Sequence, residues 1–446
     1  MQHLLILGAG RSASSLIQYW CDHAAALEVF VTVADPQVEL AIAKTQGCLH
    51  TKALSFELEN QEETRALVAA NDLVISMLPA HLHVQVAMYC LALGKNLLTA
   101  SYASAEIKAL HEVAKAKGIL IMMECGLDPG IDHMSAMKVI HELKAKNAAI
   151  TSFKSYCGGL VAPESDSNPW HYKFSWNPRN VILAGQGTAQ YLENNTLKYI
   201  PYPQLFLRTT PFELPGLGNF EGYANRDSLS YISLYGLESC QTFVRGTLRG
   251  AGYCEAWAQL VKLGLTDDSF SIDISKGMTC KQLVQAFLPA SNAEGTLQSQ
   301  LANYLTIEET SEPMQKLLWL NLLSDTPLEL PNASPAQHLQ HLLEQKWKLE
   351  AADKDMIVMV HAFEYSLQGV SKKLVSSLQI IGDDQVYTAM AKTVGLPLAI
   401  VSKMILAGQI KQKGVVLPIT EDIYIPVLEE LAILGIRFIE NESLIN

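Results

Sequence analysis

The sequence predicts an α/β chain, with a doubly wound parallel sheet at its N-terminal end, then a mixed α/β region and helical stretches. Three observations carry this. The first 125 residues alternate short apolar runs with segments of helical spacing. A glycine turn, Gly8-Ala9-Gly10, lies between the first run and the first helical segment. After about residue 127 the alternation stops, and Gly, Pro, Tyr and Trp become frequent.

In order, His3–Leu7 is short and apolar, and a helix is expected from Arg11 to about Ala24. The β-rich run Val29–Ala34 follows. Later strands are expected at Leu73–Leu78, Asn96–Thr99 and Ile119–Met123, with helices at His83–Leu93 and Ser104–Lys117. Strands this apolar, separated by helices, belong in a parallel sheet covered on both faces. Over 151–280, the runs Leu229–Leu234 and Gln241–Leu248 predict strands of a mixed or antiparallel sheet. Residues 281–345 and 384–411 read as helical, most clearly at Gln298–Tyr304, Pro313–Leu323 and Pro335–Lys346. Asp355–Tyr365 and Lys373–Ile381 read as paired strands that rejoin the mixed sheet, and the tail as a helix Ile425–Leu434 before a strand Ile436–Glu440.

At 446 residues the chain has room for about two to four domains. Its 33 Lys and Arg against 45 Asp and Glu give a net charge of −12, which argues against a nucleic-acid groove or an anionic membrane surface. Only 17% of residues are charged and 49% are hydrophobic, which excludes intrinsic disorder. The opening MQHLLILGAGR lacks a basic region and a small-residue cleavage site, so no signal peptide is expected. Leu73–Gly94 carries no charge, but Pro79, His81, His83 and Gln85 interrupt it, and no membrane partner is expected. The eight cysteines are scattered with no C-x-x-C pair; this disfavours zinc and disulfides and suits a reducing cytoplasm. Most are read as small buried hydrophobes, with Cys157 set apart.

Leu4-Leu5-Ile6-Leu7 leads directly into Gly8-Ala9-Gly10-Arg11-Ser12-Ala13, a dinucleotide fingerprint with alanine at the third small position. Gly8 permits the tight turn, Gly10 lets the backbone approach a pyrophosphate, and Ala13 lets the helix lie close to the strand. Asp35 closes the next run. An acidic side chain there accepts hydrogen bonds from a ribose 2′-hydroxyl and repels a 2′-phosphate, although Asp-Pro is equally at home as a helix cap. No Arg or Lys follows closely, so NAD is expected ahead of NADP. Leu78 and Pro79, at the end of the run Leu73–Leu78, count with these as cofactor contacts.

In an open α/β sheet the carboxyl ends of the strands form the ligand crevice. Ser101-Tyr102 follows one such end and Glu124-Cys125-Gly126-Leu127-Asp128-Pro129-Gly130 another. Asp128 is read equally as a substrate contact and as a cap for a helix beginning near Ile131. Further on come Ser155-Tyr156-Cys157-Gly158-Gly159, Tyr172-Lys173-Phe174-Ser175-Trp176, Asn225-Arg226-Asp227-Ser228 and Arg245-Gly246-Thr247-Leu248-Arg249. Arginine suits bidentate capture of carboxylates. His81, His83, His133 and His141 lack metal-ligand spacing with a carboxylate, so no metal is expected.

These blocks, together with Thr99-Ala100-Ser101-Tyr102, Asp355-Met356 with His361, and Ala389–Pro397, resemble the saccharopine dehydrogenases (saccharopine reductases) of the L-glutamate-forming kind. They follow the family order over nearly the whole chain. The resemblance implies a Rossmann domain (1–127 and 412–446) completed by the C-terminal helix and strand, and a mixed α/β domain (128–280 and 347–383). A helical domain (281–346 and 384–411) and a homodimer through the middle domain are also implied. It implies substrate contacts at Ser101, Tyr102, Asp128, Cys157, Gly158, Arg226, Thr247, Leu248 and Arg249, and a cofactor contact at Ser175. Family members that use NADPH tend to carry a basic residue near position 35, where this chain has Asp35.

The implied reaction oxidises saccharopine, a secondary amine with three carboxylates, and hydrolyses the resulting imine to L-glutamate and 2-aminoadipate 6-semialdehyde. Arg226 and Arg249 would hold carboxylates, Asp128 would stabilise the iminium or relay a proton with Tyr102 as partner, and Cys157 would shape the pocket. Two alternatives stay open. One is a related imine-reducing oxidoreductase, such as carboxynorspermidine or homospermidine synthase or lysine 6-dehydrogenase. The other is a non-catalytic nucleotide-binding protein, which would not need Asp128, Tyr102 and Arg226.

Overall fold

Leu4, Leu5, Ile6 and Leu7 are all fully buried, and the strand they form is central in a parallel sheet. A computed structural model describes residues 1–214, 218–274, 277–290 and 295–445. The expected mixed and helical ranges cross residues 215–217, 275–276 and 291–294, and the tail range ends at 446; these lie outside the described residues. The chain divides into two units, Met1–Ala149 with Tyr365–Asn446, and Ile150–Glu364.

The first unit holds β1 (Gln2–Leu7), β2 (Val29–Asp35), β3 (Thr51–Ser55), β4 (Leu73–Ser76), β5 (Asn96–Thr99) and β6 (Leu120–Met122). Their order is β3-β2-β1-β4-β5-β6, and every pair is parallel. This is the Rossmann arrangement, with the crevice at the switch between β1 and β4. The strand β3 was not legible as an apolar run, because it is only partly buried along its length. Leu5, Leu7, Val74, Leu97 and Ile121 pack with Val86, Ala87, Cys90 and Ile107 from the helices His83–Leu93 and Ala105–Ala109.

The C-terminal chain completes the parallel sheet, as the resemblance implies, but not through its last strand. Gly414–Val416 adds a seventh parallel strand beside β6. The last strand, Ile439–Leu444, does not join the parallel sheet but pairs antiparallel with Val370–Ile381. The segment 384–411, expected with the helical stretch 281–346, belongs to the first unit as the helix Ala389–Leu406. It lies on the helix Ser14–His23 so closely that a Cβ on Gly395 would sit 2.7 Å from the Leu16 amide nitrogen, and Trp20 Nε1 donates to Ser402 Oγ at 3.1 Å. By length and apolarity this helix could cross a membrane, yet it is mostly buried within the protein.

The cysteine reading is corrected in the same region. Cys21 and Cys48 form a disulfide, with Cα atoms 5.0 Å apart. They are distant in sequence, but the turn of the β1–β2–β3 crossover brings the helix Ser14–His23 beside the end of the helix Val38–Thr45. Scatter along the chain hides that proximity. The six other cysteines are buried and outside any disulfide, Cys157 among them.

The second unit is built on β7 (Ala149–Val161), β8 (Thr188–Glu193), β9 (Thr196–Pro201), β10 (Thr210–Leu214), β11 (Gly218–Ala224), β12 (Thr242–Gly250) and β13 (Asp355–Leu367), with sheet order β10-β11-β12-β7-β13. The pair β12–β7 is parallel, while β10–β11 and β11–β12 are antiparallel, so the sheet is mixed. Asn194 and Asn195, both at positive φ, turn β8 into β9. The run expected as a strand at Leu229–Leu234 is instead the helix Ser230–Leu234. Its first turn is started by Asp227 Oδ1, which accepts from the Leu229 and Ser230 amides at 2.9 and 3.2 Å. Helices Tyr253–Leu263, Cys280–Phe287, Leu297–Leu305, Glu312–Trp319 and Pro335–Lys346 share one core with Trp170, Tyr172, Phe174 and Trp347. The helical stretch 281–346 is thus not a separate body from the mixed region.

Candidate active site

The site residues expected from sequence fall into two sets, one in each unit. In the first unit, Gly8 takes φ +102° at the end of β1, and a Cβ there would lie 3.1 Å from the Met77 carbonyl oxygen. A side chain at Gly10 would meet nothing within 4 Å, so the backbone there faces open space. Arg11, Ser12 and Ala13 form a short 3₁₀ turn leading into the helix Ser14–His23, with Ala13 buried against the fold. This is the cradle a pyrophosphate needs, and the residues fit a dinucleotide.

Asp35 ties the glycine turn to the end of β2. Its Oδ1 accepts from the Gln37 amide at 2.8 Å, capping the turn, and its Oδ2 accepts from the Ala9 amide at 2.6 Å. Sequence reading missed Lys44, whose Nζ donates to the Ala9 and Gly10 carbonyls at 2.7 and 2.5 Å. Burial pulls the Lys44 ammonium down to about 8, with the Asp35 charge opposing. The side chain reaches the turn because the helix Val38–Thr45 folds back along β2, which spacing in sequence does not reveal.

Leu78 and Pro79 follow β4, half-buried and exposed respectively. Beyond β5, Tyr102 Oη donates to Asp128 Oδ1 at 2.9 Å. Two buried networks hold these segments. Glu124, at φ +57°, accepts from the Ala103 amide at 3.0 Å through Oε1 and contacts His133 Nε2 at 2.8 Å through Oε2. Asp132 Oδ1 accepts from the Gly130 amide at 2.6 Å, which fixes the turn after Asp128. On the other side of Tyr102, His83 Nε2 lies 2.8 Å from Ser101 Oγ, and His83 Nδ1 lies 2.9 Å from Ser76 Oγ. Glu124 was given no role of its own from sequence, and His83 and His133 were considered only as metal ligands. Its place at the start of the helix His83–Leu93, right after a strand end, was the available signal.

In the second unit the paired register sets Tyr223 of β11, Thr247 of β12 and Cys157 of β7 side by side in one row. Arg249 lies two residues along β12 from Thr247 and projects to the same face, whereas Leu248 projects to the other. The Leu248 side chain is therefore buried in the core, and only its backbone reaches the Thr247–Arg249 side, accepting from Arg249 Nη1 at 3.0 Å. Gly158 is required by close approach, since a Cβ there would lie 2.7 Å from the Leu248 carbonyl oxygen.

Arg249 is 3% exposed, with its guanidinium 5.3, 5.9 and 5.4 Å from the ring centres of Tyr172, Tyr223 and Tyr253. Burial pushes these three phenols up while the Arg249 charge opposes, so the cage around the cation is neutral. Among the described residues no carboxylate lies within ion-pair distance of Arg249, and its Nε has no hydrogen-bond partner. A buried cation held by π faces and one backbone carbonyl, with no countercharge, is poised for an anionic ligand. Arg226 is exposed, at φ +32°, in the turn after β11, and its carbonyl accepts from the Gln190 amide at 2.7 Å. Ser175 is buried next to Phe174 in this second unit, so the fingerprint turn and Ser175 belong to different units.

Comparison with known proteins gives a consistent family. A model of the saccharopine dehydrogenase NADP binding domain matches residues 4–122, and one of the saccharopine dehydrogenase C-terminal domain matches residues 126–436. The chain is 34% identical over 437 residues to the saccharopine dehydrogenase [NADP(+), L-glutamate-forming] of Pyricularia oryzae, covering 96% of each. It is 37% identical over 443 residues to the mitochondrial alpha-aminoadipic semialdehyde synthase of Bos taurus, covering 98% of this chain but 47% of that protein. The chain thus spans about half the length of such relatives. The solved structure of apo saccharopine dehydrogenase (L-Glu forming) from Saccharomyces cerevisiae superposes with a TM-score of 0.89 at 31% identity, over 99% of this chain and 100% of that one. A homospermidine synthase from Legionella pneumophila shares the fold at a TM-score of 0.55 and 11% identity. This chain belongs to the saccharopine dehydrogenase family.

Proposed function

We propose that the protein oxidises saccharopine with a nicotinamide dinucleotide and water to L-glutamate and 2-aminoadipate 6-semialdehyde, or runs the reverse reductive condensation, in lysine metabolism. The observation that carries this is the Tyr102–Asp128 hydrogen bond, which stands at the carboxyl ends of the same parallel sheet that bears the glycine cradle. The dinucleotide supplies the hydride acceptor. The chain supplies position and charge. Arg249 and Arg226 bind substrate carboxylates, with Arg249 gaining the anion that its tyrosine cage withholds. Thr247 and Cys157 line the same face of the sheet, Gly158 lets the two strands approach closely, and Cys157 shapes the pocket. Asp128, oriented by Tyr102, stabilises positive charge on the substrate nitrogen and takes up a proton as water adds to the imine carbon.

Between the two dinucleotides the reading favours NAD. Asp35 sets a carboxylate at the end of β2, where a 2′-phosphate would be repelled. The NADP(+) in the names of fungal relatives and the nearby Lys44 keep NADP as the competing cofactor. A homodimer is supported by exposed apolar side chains, Ile439 and Leu444, on the outermost strand of the sheet. We place the enzyme in the cytoplasm, a location that cell fractionation tests. The proposal as a whole is tested by incubating the chain with saccharopine and either dinucleotide while following absorbance of the reduced nicotinamide. Turnover without saccharopine dependence, or turnover of a diamine instead, would overturn it.

A further inference from the structure

His83 is nearly inaccessible, yet it stands between three hydroxyls at the ends of β4 and β5. Ser76 Oγ lies 2.9 Å from Nδ1, Ser101 Oγ 2.8 Å from Nε2, and Thr99 Oγ1 3.3 Å from Nε2. We infer that His83 is a positioning residue for substrate binding, a fixed imidazole that turns the Ser101 hydroxyl into a hydrogen-bond donor for a substrate carboxylate. The inference rests on the reading of Ser101 as a substrate contact given above.

The argument is one of hydrogen-bond polarity. A neutral imidazole has one donor and one acceptor nitrogen. In the tautomer that this role requires, Ser76 donates to Nδ1, the proton is on Nε2, and Nε2 donates to Ser101 Oγ. The Ser101 proton is then directed away from His83, free to donate to an anionic oxygen. A protonated ring would still donate to Ser101 but would lose the Ser76 link that fixes its orientation, because Nδ1 could no longer accept. Three features keep the ring neutral. Burial, with His81 adding to it, holds the imidazole down to about 4. His83 is also the first residue of the helix His83–Leu93, whose positive end disfavours an imidazolium. Among the described residues its hydrogen-bond partners are hydroxyls, which offer no countercharge.

The test separates the two ring nitrogens. His83→Asn keeps a polar group near Ser76 but is too short to reach Ser101, while His83→Gln can still present an amide donor at the Nε2 position. Both variants, Ser101→Ala and the double variant His83→Asn/Ser101→Ala are compared with wild type for saccharopine KM, kcat and dinucleotide Kd. His83→Asn is expected to raise the saccharopine KM about tenfold and to leave dinucleotide Kd within about twofold. His83→Gln should recover most of that loss, and the double variant should be no worse than Ser101→Ala alone. Penalties that multiply in the double variant, a Gln variant as poor as the Asn variant, or a parallel fall in dinucleotide affinity would each overturn the inference. A wild-type chain that turns over no saccharopine overturns the proposed function and the inference together, whereas active wild type with multiplying penalties overturns the inference alone.

Discussion

Gly158 and Leu248 stand on neighbouring parallel strands, with room for a hydrogen and not for a carbon: a Cβ on Gly158 would meet the Leu248 carbonyl oxygen at 2.7 Å and its Cβ at 2.9 Å. The contact fixes how Cys157 and Thr247 line up, because each is the chain neighbour of one member of the pair. Gly158→Ala should therefore push β7 from β12. The expected cost is about 1–3 kcal/mol, read as a lower midpoint in urea unfolding, together with a higher saccharopine KM. An alanine variant with native midpoint and KM would show that the strands yield freely.

Arg249 gives a sharper functional prediction. Arg249→Lys keeps a charge but loses the planar fork and its stacking on three rings, so the saccharopine KM should rise at least tenfold or so with dinucleotide affinity unchanged. Arg226→Ala should raise the same KM. If either change left KM untouched, that residue would be removed from substrate binding.

His83 makes stability depend on pH in a stated direction. Burial holds its folded-state value near 4, against 6.5 for an ordinary histidine. The unfolded chain therefore takes up a proton near pH 6.5 and the folded chain only near 4, so acidification across that window favours unfolding. The His83 contribution is whole above pH 6.5 and is lost as pH falls toward 4, at most about 3 kcal/mol. Urea unfolding at about pH 7 and about pH 4.5 should show a larger loss for wild type than for His83→Gln.

The Cys21–Cys48 bridge closes a loop across the β1–β2 crossover, with a sequence separation of 27. Loop-closure entropy assigns such a bridge about 3 kcal/mol. Dithiothreitol should lower the melting temperature of wild type and leave that of Cys21→Ser/Cys48→Ser unchanged. Lys44 lies on the tethered helix and holds the Ala9 and Gly10 carbonyls, so the reduced protein should also bind dinucleotide more weakly.

Legibility followed the physics of each feature. The strands β1, β4 and β5 were readable because strands buried on both faces must be apolar, and Gly8-Ala9-Gly10 because a turn at φ +102° calls for glycine. The half-exposed strand β3 left no such trace. Leu229–Leu234 misled because the run was judged by side-chain propensity, while Asp227 closes a turn that leads the chain into a helix. Asp128 and Tyr102 could be named from strand ends, and they do meet. What supports them could not, since Glu124–His133 and His83–Ser101 depend on contacts between segments that no local pattern links. The tyrosine cage of Arg249 was hidden for the same reason: its rings come from residues 172, 223 and 253, in three distant stretches.

The strand Gly414–Val416 completes a sheet that begins at residue 2. On a ribosome, β6 waits for Gly414–Val416 to acquire its last neighbour, and the helix Ser14–His23 waits for its cover from Ala389–Leu406. Until then the growing nucleotide fold shows an open β edge and a bare greasy helix, the surfaces that chaperones grip and that make prematurely terminated products clump.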